Sequence, residues 1–192
     1  MKNKIGLLFG SFNPVHNGHL IIANYILQYE DLDEILLVVS PQNPFKTEEQ
    51  MLDESNRYRM VELALNGNEK IKPCDIELKM GTPSYTINTL EKLIKENANN
   101  EYILIIGSDN QDDLDKWKDY EKIFSLVDIF VYPRYGYKPK KFNNHNRIKQ
   151  VSAPLIEMSS SFIRNSVKQG KDIRYFVPDA VFEEISRNNY YK

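Results

Sequence analysis

Two stretches of the chain, Ile35-Leu-Leu-Val-Val39 and Ile103-Leu-Ile-Ile106, are apolar at every position. A strand with one wet face alternates polar and apolar residues, so runs like these suit strands covered on both faces. We expect them to form the central pair of a parallel sheet. The second run extends to a strand Tyr102–Ile106, and further runs rich in branched residues, Ile5–Phe9, Ile71–Glu77 and Ile129–Tyr132, supply the other strand positions. Between them, Leu20–Tyr29, Asn56–Leu65 and Thr86–Lys95 carry apolar residues at helical spacing. Strand followed by helix, repeated, predicts an α/β fold: a doubly wound parallel sheet flanked by helices. Ser160–Gln169 and Asp179–Arg187, parted by Gly170 and Pro178, add a small C-terminal helical part. The proline-bearing segments 40–55 and 133–147 read as loops over the sheet's edge.

At 192 residues the chain suits one domain, 1–192, able to bury a proper core. A net charge of −2 gives no general surface for nucleic acid or membrane, so anions must be held by locally placed basic groups. The single cysteine, Cys74, excludes an internal disulfide and a cysteine metal cluster. No apolar stretch approaches membrane-spanning length and the start lacks a signal-peptide profile, so the expected compartment is the cytoplasm. A homo-oligomer is compatible with this sequence but not required by it.

Directly after Ile5–Phe9 comes Gly10-Ser-Phe-Asn-Pro-Val-His-Asn-Gly-His19, which holds two of the three histidines. Leu20, Ala23 and Leu27 then recur at helical spacing, so His16 and His19 sit where a loop enters a helix. Such a place offers free backbone N–H groups and the positive end of a helix dipole, which suits a polyphosphate. Imidazoles three residues apart share one side of a first turn and can donate to phosphate oxygens.

Other stretches are suggestive in company and ordinary alone. In Met158-Ser-Ser-Ser-Phe-Ile-Arg164, serines can cap a helix while Ser160 and Arg164 hold phosphate; taken alone, a plain cap and a surface arginine explain it better. Ile106-Gly-Ser-Asp-Asn110 follows a buried-looking strand. Gly107 permits close approach of backbone and Asp109 can accept from ribose hydroxyls, although a strand-end turn with an aspartate cap accounts for it nearly as well. Trp117, the lone tryptophan, lies among Asp115, Lys116, Lys118 and Asp119, so its face is placed for stacking rather than deep burial. Ser84, Tyr85 and Thr86 fit either ordinary helix-entry packing or a polar cradle for a small acid.

Taken in order, these segments resemble the nucleotidyltransferase superfamily, with its His-x-Gly-His and Ile-Ser-Ser-Thr-x-Ile-Arg signatures. The Ser84–Leu90 block with Trp117 is similar to that of the bacterial nicotinate mononucleotide adenylyltransferases. Met158 and Ser161 replace the usual Ile and Thr, Phe45 replaces a customary histidine, Asn13 stands where Asp is common, and Met80 stands where many members carry Arg. Arg57 with Met60, Arg134 and Tyr175–Pro178 extend the match to essentially the whole chain.

The resemblance implies a Rossmann-like fold and transfer of AMP from ATP to nicotinate mononucleotide, giving deamido-NAD and pyrophosphate. It assigns His16, His19, Lys46 and Arg164 to catalysis on the phosphates. It assigns Gly10, Ser11, Phe12, Gly107, Asp109, Arg134 and Ser160 to ATP. Asn43, Ser84, Tyr85, Thr86 and Trp117 fall to nicotinate mononucleotide. Mg²⁺ is expected to ride on the ATP phosphates, with no dedicated carboxylate cage. The attacking phosphate oxygen is ionised at neutral pH, which fits the lack of any visible carboxylate dyad or serine–histidine triad. Phosphopantetheine and nicotinamide mononucleotide adenylyltransferases share the phosphate motifs but not the Ser84–Leu90 block. A class I aminoacyl-tRNA synthetase fragment should show a Lys-Met-Ser-Lys-Ser loop and a basic RNA surface, and neither is found. A nucleotide-binding regulator has less need of both histidines together with Lys46 and Arg164.

Overall fold

In the computed structural model, which describes residues 2–41 and 51–192, six strands form one parallel sheet. They are β1 (Asn3–Gly10), β2 (Glu34–Val39), β3 (Ile71–Cys74), β4 (Asn100–Gly107), β5 (Asp128–Tyr132) and β6 (Ile148–Gln150). Their order is β3-β2-β1-β4-β5-β6, so the winding reverses between β1 and β4. Leu7 of β1 lies level with Leu36 on one side and Leu104 on the other. In open sheets of this kind ligands bind beyond the carboxyl ends of the strands at the reversal, here the ends at Gly10 and Gly107.

The two all-apolar runs are interior strands as expected, but they are not neighbours: β1 lies between them. The sequence hides this because β1 carries Gly6, which makes its run look less buried. In the sheet, Gly6 leaves room for flanking side chains; a Cβ there would stand 2.7 Å from Ile105 and 2.9 Å from Leu32. β3 stops at Cys74 rather than Glu77. Pro73 can give no ladder hydrogen bond from its nitrogen, and the chain turns into a 3-10 turn at Glu77–Lys79. β6 adds a strand after the 133–147 loop, three residues long and too short to stand out as a pattern.

Among the described residues seven helices cover the sheet: α1 (Asn17–Tyr29), α2 (Glu54–Ala64), α3 (Thr86–Glu96), α4 (Ser108–Gln111), α5 (Tyr120–Leu126), α6 (Ser160–Lys168) and α7 (Asp179–Asn188). Alternation along the strands divides the core. Leu8, Ile35, Leu37 and Ile105 face α1, α2, α6 and α7, while Leu7, Val38, Leu104 and Ile129 face α3 and α5. The short α4 and α5 lack the length that makes helical spacing visible in sequence. The two expected C-terminal helices form as α6 and α7, and their Ile163, Val181 and Ile185 are buried in the same core layer as Ile26 of α1.

Candidate active site

The loop after β1 turns inward at Phe12, a left-handed residue at φ 43° whose ring is buried and meets His19 edge-on at 5.0 Å. Its side chain is therefore core, and only its backbone faces the loop's open side. His16 stands just before α1 with extended backbone, and its carbonyl accepts from the His19 N–H at 2.9 Å. In return the His16 N–H donates to His19 Nδ1 at 3.2 Å, and the two rings stack at 3.6 Å. With Nδ1 accepting, a neutral His19 carries its proton on Nε2, where it is a donor.

His16 is a different kind of group. Only 3% exposed, it is pulled by burial, and secondarily by Arg134, from 6.5 to about 4, so it is uncharged at neutral pH. Its Nδ1 is buried without a partner among the described residues. A Cβ on Gly18 would lie 3.0 Å from this ring, so glycine there is a requirement of packing.

Two helices, α6 and α2, grip the loop from outside. Ser159 caps α6, accepting from the Phe162 N–H at 3.2 Å, while Ser160 Oγ donates to the Pro14 carbonyl at 2.9 Å. Arg164 Nη1 donates to the Asn13 carbonyl at 2.8 Å, and its Nε is buried without a partner among the described residues. From α2, the fully buried Arg57 donates to four carbonyls: Leu52, Ser11, Ser40 and Pro41, at 2.9, 2.6, 2.7 and 2.7 Å. One planar cation thus ties the ends of β1 and β2 together. Beside it, Gly10 accepts from the Ser40 N–H at 2.9 Å.

At the end of β4, Gly107 leads into Ser108, whose hydroxyl accepts from the Arg134 N–H at 2.9 Å. Asp109 and Arg134 pair at 3.7 Å, longer than a hydrogen bond. Any side chain on Gly107 would collide with Asp109. Arg134 also faces the small cavity shared by His16 and His19 and borders a cleft of about 350 Å³ with Asp109, Met158 and Ser159. The structure therefore brings His16, His19 and Arg134 around one small cavity, joins it through Arg134 and Met158 to the cleft that Asp109 borders, and bonds Ser160 and Arg164 to the loop.

Ser84, Tyr85, Thr86 and Trp117 do not line those cavities. They stand at the start of α3 and after the 3-10 turn Leu114–Lys116, against the opposite core layer. Tyr85 and Trp117 are half-buried, and Lys118 lies over the Tyr85 ring at 4.7 Å. Beneath them Glu77, 2% exposed, accepts from Thr89 Oγ1 at 2.7 Å and Ser84 Oγ at 3.1 Å. Glu77 escapes a sequence reading because it looks like the tail of a strand; its spacing from Ser84 and Thr89 is the only signal. Asn43, Phe45 and Lys46 lie outside the described residues.

Strand order and the histidine loop at the reversal define a Rossmann-like α/β domain of the nucleotidyltransferase type. The cytidylyltransferase-like family model matches residues 7–166. A "Probable nicotinate-nucleotide adenylyltransferase" of Flavobacterium johnsoniae is 49% identical over 191 residues, 98% of this chain and 99% of that one. One of Bacteroides fragilis is 42% identical over 184 residues, 96% of this chain and 92% of its own. The fold is also that of the Plasmodium falciparum nicotinic acid mononucleotide adenylyltransferase complexed with NaAD: TM-score 0.81 at 19% identity, covering 98% and 97% of the two chains. This chain belongs to the cytidylyltransferase-like family and, within it, to the nicotinate-nucleotide adenylyltransferases.

Proposed function

We propose that this chain transfers AMP from ATP to nicotinate mononucleotide, releasing pyrophosphate and forming the deamido dinucleotide. The observation that carries the reading is the 49% identity, along 98% of the chain, to a relative of that name. In the reaction, a phosphate oxygen of the mononucleotide forms a bond to the α-phosphorus of ATP. The bond from that phosphorus to the bridging oxygen breaks, and its electron pair leaves with pyrophosphate. The nucleophile is already ionised, so the protein's task is alignment and charge neutralisation.

His19 donates from Nε2 to an α-phosphate oxygen, its ring held by the His16 N–H at 3.2 Å. His16, neutral and buried, is the backing of that ring and a neutral neighbour of the phosphates rather than a source of charge. Positive charge comes from Arg134, Arg164 and Lys46. Gly10, Ser11 and the Phe12 backbone line the phosphate path, and Ser160 fixes it through Pro14. Gly107 and Asp109 receive the adenosine half. Asn43, Ser84, Tyr85, Thr86 and Trp117 receive the nicotinate nucleotide, with Trp117 as the stacking face. Nucleotidyltransferases of this family generally use Mg²⁺. Among the described residues no three His, Cys, Asp or Glu side chains are grouped to hold a metal. An ion carried by the triphosphate would neutralise phosphate oxygens.

We assign the work to one domain, 1–192, acting in the cytoplasm on small molecules without nucleic acid or membrane. None of the described helices is long and apolar enough to cross a bilayer. The test is pyrophosphate release with ATP and Mg²⁺, comparing nicotinate mononucleotide, nicotinamide mononucleotide and phosphopantetheine. A strong preference for the first is expected. Preference for either other acceptor would discard the pocket at Ser84–Thr86 and Trp117.

A further inference from the structure

Beyond α7 the backbone turns back sharply. Asn189 is left-handed at φ 54°, and the Tyr190 N–H returns to the Ile185 carbonyl at 3.1 Å. Tyr191, itself at φ 64°, is thereby driven inward and ends 9% exposed. Its hydroxyl donates to Asn13 Oδ1 at 2.8 Å in a buried hydrogen bond spanning 178 positions. The same oxygen accepts from the Leu52 N–H at 3.3 Å, just before α2. The main-chain carbonyl of Asn13 holds Arg164, and the next carbonyl, of Pro14, holds Ser160.

Asn13 is thus the point at which α2, α6 and the segment after α7 meet, three residues before His16. α7 is itself clipped to α2 by Arg59 and the buried Glu184 at 2.9 Å. Burial raises the Tyr191 hydroxyl well above its ordinary range, so it stays a protonated donor at any working pH.

We propose that Tyr191 is a positioning residue for AMP transfer: its hydroxyl, acting through Asn13, sets the loop that aims His16 and His19. The proposal rests on the reaction assigned above. It differs from a packing role in what it moves. Losing the hydroxyl while keeping the ring shifts the loop, and small displacements of aligned groups cost rate more than binding.

The experiment compares wild type, Tyr191→Phe, Asn13→Ala and the double variant, with Tyr190→Phe as the control. Pyrophosphate release is followed at saturating ATP, Mg²⁺ and nicotinate mononucleotide, well below each melting temperature. Tyr191→Phe is expected to lower kcat about tenfold or more with KM within about twofold of wild type. The double variant should be no slower than Asn13→Ala alone, because the hydroxyl acts through that side chain. Wild-type kcat in Tyr191→Phe, or losses that multiply in the double variant, would overturn the proposal.

A second readout needs no acceptor. With three histidines in the chain, a long-range proton–nitrogen correlation spectrum of the imidazoles is simple. Tyr191→Phe should displace the His16 and His19 signals and leave His145, which packs on Phe124, in place. Unmoved His16 and His19 signals would sink the idea even if the wild type proved to use a different acceptor.

Discussion

His16 and His19 show how far two identical side chains three residues apart can diverge. Their spacing is plain in the sequence; the uncharged state of His16 is not, because it is set by burial and secondarily by Arg134 beyond the end of β5. His19→Ala should lower kcat by about 10²–10³-fold, the usual loss for one preorganised donor, while ATP affinity from calorimetric titration changes by only a few fold. Equal losses in both would remove His19 from the transition state. His16 predicts a pH effect on stability instead. Its imidazole titrates near 6.5 unfolded and near 4 folded. Between those values the unfolded chain binds the extra proton, so the stabilisation is whole above 6.5 and drains as pH falls toward 4, roughly 3 kcal/mol in all. Urea midpoints across that window should fall more steeply for wild type than for His16→Asn. Parallel slopes would place the protonation elsewhere.

Among elements, the histidine loop and the entry to α3 are held by buried charges that the sequence does not advertise. Arg57 was visible only as part of a resemblance; that it bridges the ends of β1 and β2 depends on those strands being adjacent, which no local pattern encodes. Ser159 is the cap of α6, while Ser160, the first residue of the helix, turns its hydroxyl to the Pro14 carbonyl. Glu77 was read as strand and is instead the acceptor under α3. Replacing it with Ala leaves two hydroxyls short of their acceptor, costing about 1–3 kcal/mol. It should also raise KM for the nicotinate nucleotide several-fold with KM for ATP unchanged. A rise in both, measured by initial rates, would mean that Glu77 supports the whole sheet rather than one pocket.

For the whole molecule, the α/β class and parallel sheet followed from unbroken apolar runs, while strand adjacency did not, since Gly6 disguised the most central strand. The C-terminal helices expected from the sequence share a core layer with α1 and α2. Two core layers packed on the two faces of one sheet predict one cooperative unfolding transition in calorimetry. A non-hydrolysable ATP analogue at a hundred times its Kd should raise stability by about 2.7 kcal/mol without splitting that transition. Two transitions would divide the chain into separate units. The span between Asn13 and the groups that hold it, Arg164 and Tyr191, also bears on the order of events during synthesis. A chain emerging from the ribosome has made both histidines and every described strand by residue 150, and Arg57 can already bind the Ser11 carbonyl, but neither Arg164 nor Tyr191 is there to hold Asn13. If those two contacts set the loop as proposed, a translation product interrupted before residue 160 carries the histidine motif without the side chains that hold Asn13.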